Sequence, residues 1–214
     1  MQRNMSQDLL LALFSDWYGI DIPSFRRFQN FSSTQFNFIW TNKWFAKQEQ
    51  QRYMDAYLLK YKPLFDTDPE TMKSQVHPAY HLMIDIAYMI LWDQVSRNIF
   101  RNTSAAYATD AKARALVETL MPKWDTFPLP IQISCILVYI HSEDKEDLKI
   151  VAHLLEKVNK PMQNYPDVFR SLQGIANNHK DRMQLFGRIP ERNQFLGRQS
   201  TEKELVYLSV VASL

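Results

Sequence analysis

Asp93, Arg97 and Arg101 follow one another at intervals of four residues, so on a continuous helix their side chains would share a face. Farther along comes the tetrad His141-Ser142-Glu143-Asp144, and then Arg188, Arg192 and Arg198, with Asn193 among them. A guanidinium is a planar fork of donors that matches a carboxylate or a phosphate. Two carboxylates, Asp93 and Glu143, among five arginines would hold the forks in place and leave positive charge over. His141 adds a group that titrates near neutrality, with Glu143 as a partner to orient it. Three uses are open to such a set. Asp93, Arg97, Arg101, Arg188, Arg192, Asn193 and Arg198 could bind an acidic small molecule, or an acidic protein or peptide partner. His141 could be the general base of a hydrolase or transferase acting on a phosphorylated substrate, the arginines stabilising developing negative charge. Or the cluster is a structural clasp, in which losing one partner of a buried ion pair costs about 3–5 kcal/mol.

The elements around these residues follow from local signals. The helix carrying Asp93 starts near Pro78, and Tyr80, Met83, Ile84, Ala87, Ile90 and Leu91 form its buried stripe; it is almost wholly apolar from Leu82 to Trp92 and belongs deep in the core. The run Ile131–Ile140 is read as a buried helix ending at His141. Ser142 is positioned to cap the next helix, with Glu143 and Asp144 in its first turn; that helix uses Leu148, Val151, Leu154 and Leu155 and should break at Pro161. A helix opened by Pro166 runs through Val168, Phe169, Leu172, Ile175, Ala176, His179 and Met183. Gly187 suits a left-handed cap at its end and Pro190 stops continuation. Thr201 and Glu204 form a capping-box pattern for a last helix through Leu205, Leu208, Val211 and Ala212. Arg198, Ser200 and Thr201 thus precede a helix N-terminus, whose free N–H groups favour an anion.

Earlier in the chain, Ser6 is a candidate cap for a helix ending near Trp17, with Gly19 beyond it, and Gly19–Ser33 is mostly loop. Phe36, Ile39, Trp40, Trp44 and Phe45 fit one helical face. Tyr53, Ala56, Tyr57, Leu58 and Leu59 give the apolar side of a helix over Gln48–Tyr61. Thr109 or Asp110 can cap a short helix ended by Pro122. These aromatics are read as core packing rather than a base-stacking platform.

Composition narrows the classes. The 214 residues, 46% hydrophobic and 13% aromatic with four glycines, describe a folded, helix-favouring chain long enough for one domain or at most two small ones. A net charge of +2 is small for a nucleic-acid binder, so RNA binding is not favoured. Cys135, the single cysteine, lies in an apolar run and is expected to be a small buried hydrophobe. No second histidine stands at ligand spacing from His141, so no metal site is expected, and no cofactor-cradling glycine loop is visible. The apolar run Leu9–Phe14 is far shorter than the roughly 20 residues of a spanning helix and lacks a cleavage pattern; a cytoplasmic location is the expectation.

Three separated motifs carry a family resemblance: Leu91-Trp92-Asp93-Gln94 through Arg97-Asn98-Ile99-Phe100-Arg101-Asn102-Thr103 with Tyr107-Ala108-Thr109-Asp110; His141-Ser142-Glu143-Asp144; and Phe186-Gly187-Arg188 through Arg192-Asn193 to Leu196-Gly197-Arg198 and Ser200-Thr201. In this order they resemble domain-of-unknown-function family 924, from about Trp44 onward, with Trp17-Tyr18-Gly19 matching more loosely. The resemblance implies an all-α fold similar to tetratricopeptide repeats and no established activity; the chain is accordingly read as a single helical domain, a compact stack of antiparallel helical pairs that each bury an apolar face against their neighbours. No 34-residue repeat is evident in the sequence itself. The chain departs from the family pattern at Asn102, where glycine is usual, at Glu191 (histidine), Val138 (proline) and Leu148 (glutamine).

Overall fold

A computed structural model describes residues 5–20 and 32–211, and among these every regular element is helical. Helix α1 covers Met5–Tyr18, α2 Ser33–Ile39, α3 Gln48–Leu58, α4 Pro69–Ser74, α5 His81–Ile90 and α6 Ser96–Ile99. The second half comprises α7 Asp110–Leu120, α8 Leu129–Ile140, α9 Lys145–Met162, α10 Pro166–Phe186 and α11 Glu202–Val211. The two helices that are apolar on nearly every side, α5 and α8, form the centre of the core. Helix α5 is covered by α1, α4 and α7, and α8 by α7, α9 and α10. Tyr18 ties the halves together by donating its hydroxyl to Ser134 Oγ on α8 at 2.9 Å. The aromatics of α1 pack against those of α2 and of the π-helical turn Trp40–Trp44 that follows it, Trp17 stacking on Trp44 with centroids 5.7 Å apart.

Several boundaries differ from expectation. Ser6 lies inside α1 rather than capping it, and most of the loop expected over Gly19–Ser33 falls outside the described residues. Beyond Leu58 the chain tightens into a 3₁₀ segment, Leu59–Asp66. Its three-residue period turns Tyr61 and Leu64 inward, while Tyr53 and Leu59 are exposed. Pro161 does not break α9: it sits in the last turn, where a single backbone bond is forfeited and Gln163 and Asn164 close back onto the Lys160 and Pro161 carbonyls. The cap of α9 is Asp144, whose carboxylate accepts the Glu146 N–H at 2.9 Å, and not Ser142. The first-turn acids are therefore Glu146 and Asp147, which frees Glu143 for another role.

Candidate functional site

The helix begun by α5 does not run straight into α6. One π-helical turn, Leu91–Val95, joins them, and such an extra residue shifts the facing of everything after it. Asp93 on this turn is 1% exposed. Its carboxylate oxygens each lie 3.0 Å from His141 Nδ1; it also accepts from Gln94 Nε2 and forms an ion pair with Arg97 at 3.2 Å, while Arg97 donates to the Asp93 backbone carbonyl. Burial alone would raise the Asp93 carboxyl, but the His141 ring and the Arg97 guanidinium outweigh it and hold the group down at about 2. Arg97 makes a fork-to-fork pair with Asp110, at 2.9 and 2.8 Å. Asp110 lies at the start of α7, where the Thr109 hydroxyl donates to the Trp92 carbonyl at 2.6 Å and fixes the approach of the two helices.

The loop after α10 brings in the second set of arginines. Gly187 has φ +71° and closes α10 by donating its N–H to Met183 O, a left-handed conformation that a side chain would penalise. Pro190–Arg192 then forms a 3₁₀ turn that points Arg192 back at α8. Arg192 is 7% exposed and donates to the His141 carbonyl at 2.9 Å. It lies 3.8 Å from Asp110 and 3.9 Å from Glu143, beyond hydrogen-bond reach of either, and over the Tyr107 ring at 4.9 Å. Burial and the neighbouring Arg97 lower its affinity for the proton, against Asp110 and Glu143. Glu143 is taken by Arg198, at 2.5 and 3.1 Å, and by the Ile189 N–H at 3.0 Å.

The three sequence clusters therefore meet through Asp93 and Arg97, His141 and Glu143, and Arg192 and Arg198, with Asp110 as a third carboxylate. Two of the singled-out arginines turn to other partners. Arg101 follows the end of α6, leaves the face shared by Asp93 and Arg97, and pairs with Asp55 on α3 at 2.9 and 3.0 Å. Arg188 grips Glu204 of α11 at 2.6 and 2.7 Å. Asn193 is a loop brace: its side-chain amide nitrogen donates to Ser200 Oγ at 3.0 Å and its backbone carbonyl accepts the Arg198 backbone N–H at 2.9 Å. With these pairings, three carboxylates (Asp93, Asp110, Glu143) face three guanidiniums (Arg97, Arg192, Arg198), and the surplus of positive charge expected from sequence is confined to the places where a guanidinium lacks a close acid.

Two clefts open on this assembly, and Tyr107, His141 and Arg192 line both. The larger, about 670 Å³, is walled by residues of both charges, including Asp110, Glu143 and Arg114, and by Val138 and Leu196. The smaller, about 310 Å³, is lined by Arg97, Arg101, Arg182 and Arg192 together with His141, His179 and Glu191. Sequence reasoning assigned no functional role to Tyr107, Asp110, Arg182 or His179. The signals present were the placing of Tyr107 and Asp110 in the first family motif and His179 itself, a histidine on the otherwise apolar stripe of α10. Its Nδ1 stands 3.1 Å from the Ile175 carbonyl, and its ring centroid is 5.9 Å from that of His141. Burial, then the positive surroundings contributed by His141, Arg192 and Arg182, push its pKa down to about 3. His141 is lowered as well, by burial and Arg97, although Asp93 pulls the other way.

Glu191, at the position where the resemblance led one to expect histidine, accepts from Arg182 Nε at 2.7 Å and from the Tyr207 hydroxyl at 2.9 Å, while its second carboxylate oxygen is buried without a donor. Asn102 has φ +62°; the position asks for left-handed backbone, which asparagine tolerates better than other side chains. Cys135 is fully buried and its thiol is pushed up to about 12, as burial of a small hydrophobe requires. Among the described residues, no three or more histidine, cysteine or acidic side chains are grouped to hold a metal ion, and no helix is long and apolar enough to cross a membrane.

Fold and site together define an all-helical protein with a buried carboxylate–imidazole–guanidinium cluster opening on two clefts. The chain belongs to the family described as bacterial protein of unknown function (DUF924), whose model matches residues 30–211; the match starts ahead of Trp44, the residue from about which the sequence resemblance was read. It is similar to a solved protein of unknown function from Agrobacterium tumefaciens, at 25% identity over 78% of this chain and 88% of that one, with a TM-score of 0.56. A search of curated proteins finds no match.

Proposed function

We propose that this protein binds a small anion, a carboxylate or a phosphate, in the smaller, arginine-lined cleft. The observation that carries the reading is Arg192: a guanidinium in the wall of both clefts, buried, with a single protein hydrogen bond and no carboxylate within hydrogen-bond reach among the described residues. A buried charge left so is costly unless something pairs with it, and an anion seated against Arg192 and the outer edges of Arg97 and Arg101 would supply the pairing. Tyr107, beneath both Arg192 and Arg97 at 4.9 and 5.9 Å, holds the forks flat and rigid. An acidic side chain of a protein partner would satisfy the same chemistry, but the modest volume of the cleft, about 310 Å³, favours a small molecule. The scaffold in this proposal is a tetratricopeptide-like stack, supported by the sequential packing of α7 on α8, α8 on α9 and α9 on α10, and the setting is cytoplasmic. The test is a thermal-shift series with inorganic phosphate and simple carboxylates on wild type and Arg192→Ala. Stabilisation of wild type alone supports the reading; equal shifts in both proteins overturn it.

A second reading rests on the Asp93–His141 pair. A buried carboxylate accepting from Nδ1 fixes the tautomer and leaves Nε2 as the basic nitrogen, the arrangement that a general base requires. On this reading the bound anion is a phosphorylated substrate of a hydrolase or transferase. A His141→Gln variant that keeps affinity for a chromogenic phosphate monoester but loses its turnover supports it, and turnover equal to that of wild type rejects it.

A further inference from the structure

The smaller cleft differs from a plain anion hole in one respect: free acceptors stand among its guanidiniums. A carbonyl oxygen can only accept, so the contact between His179 Nδ1 and Ile175 O at 3.1 Å places the hydrogen on Nδ1. The same holds for His141 against the ionised Asp93 carboxylate. With both rings neutral, Nε2 of each is a bare lone pair, and neither has a hydrogen-bond partner among the described residues. The shifts support that state, since both imidazoles are held below their ordinary range. Glu191 on the same wall adds an acceptor-only carboxylate.

A dianionic alkyl phosphate, or a bare carboxylate, offers these nitrogens nothing but lone pairs, and like faces like. A ligand with hydroxyl groups beside its charged head resolves the mismatch: the head takes the donors of Arg192, Arg97, Arg101 and Arg182, and the hydroxyls donate to His179 and His141. The available volume, about 310 Å³, suits a short-chain molecule of this kind. Resting on the anion-binding reading above, we infer that the cleft selects small hydroxylated acids, with His179 as the residue that reads the hydroxyl. Polyol phosphates and hydroxycarboxylates share this chemistry.

Matched pairs of probes separate the inference from the reading beneath it. Glycerol 3-phosphate and propyl phosphate differ by two hydroxyls on one three-carbon chain, and so do glycerate and propanoate. Titration calorimetry at pH 7.5 on wild type is expected to favour the hydroxylated member by about tenfold or more, because a site built to accept a hydroxyl proton penalises the analogue that lacks it. Which pair shows the preference identifies the head group. His179→Phe keeps an aromatic ring of similar size and loses the acceptor; it should abolish the preference and leave the affinity for propyl phosphate or propanoate within about twofold. Equal affinities within both pairs overturn the selection for hydroxyls while anion binding stands. A preference that survives in His179→Phe overturns the role of His179. Failure of all four probes to bind wild type overturns the selection together with anion binding itself. The wild-type comparison alone is decisive if the variant does not fold.

Discussion

Arg188 and Arg192 leave the same loop four residues apart and end in opposite situations. Arg188 is partly exposed and forked onto an acid: it holds both oxygens of Glu204 and the Gln199 carbonyl. Glu204 in turn receives the Thr201 N–H at 2.7 Å and is 1% exposed, so the arginine completes a capping box. Arg192 is buried, holds one carbonyl, and stops short of two carboxylates. The first is what a chain does with an arginine when the purpose is to close a helix end. The second leaves donors available where water is scarce, and that is how a binding site differs from a clasp made of the same residue types. Arg198 and Arg101, each forked onto a carboxylate, fall on the side of Arg188.

The comparison can be broken most forcefully at its common anchor. Asp93→Ala leaves Arg97 and His141 buried around an absent carboxylate and should cost about 3–5 kcal/mol in urea denaturation; a loss below about 1 kcal/mol would show that the cluster is not held by charge. The pH dependence of stability comes next. His179 titrates near 6.5 in the unfolded chain and is held at about 3 in the folded one. Between those values the unfolded state binds the additional proton, so the stability that neutral His179 contributes is whole above pH 6.5 and lost as pH falls toward 3. By pH 5 the loss amounts to about 2 kcal/mol, and His179→Phe should flatten that part of the curve. Should the variant follow the wild-type curve, the imidazole is not the group responsible.

Much of the scaffold was legible in sequence because its signals are local. Gly187, and Thr201 with Glu204, act through backbone bonds that span a few residues, and both perform as their types imply. The apolar runs of α5 and α8 could only be core. The partners of the arginines were not legible, since they depend on contacts between residues remote in the chain: Asp110, read as a cap, instead forks onto Arg97, and Asp55 draws Arg101 away. The π-helical turn at Leu91–Val95 is invisible to a period-based reading, which assumes that four residues always return to the same face. His179 was visible as an exception to an apolar stripe, but its proximity to His141 required the fold.

Smaller effects sharpen the contrast. Thr201→Ala removes the hydroxyl that accepts the Glu204 N–H at 3.3 Å. It should cost about 1 kcal/mol and speed amide exchange in α11 without touching the clefts; altered ligand binding would deny the separation of clasp from site. Asn102→Ala should cost about 1 kcal/mol for its left-handed backbone, with Asn102→Gly close to neutral; equal stabilities would mean that the loop relaxes.

The distinction between the two arginines is tested most directly by calorimetric titration of inorganic phosphate into wild type, Arg192→Met and Arg188→Met, with methionine keeping much of the side-chain bulk. The account predicts that Arg192→Met weakens binding by about tenfold or more, while Arg188→Met binds as wild type does. Undiminished binding by Arg192→Met, or an equal loss in both variants, would contradict it.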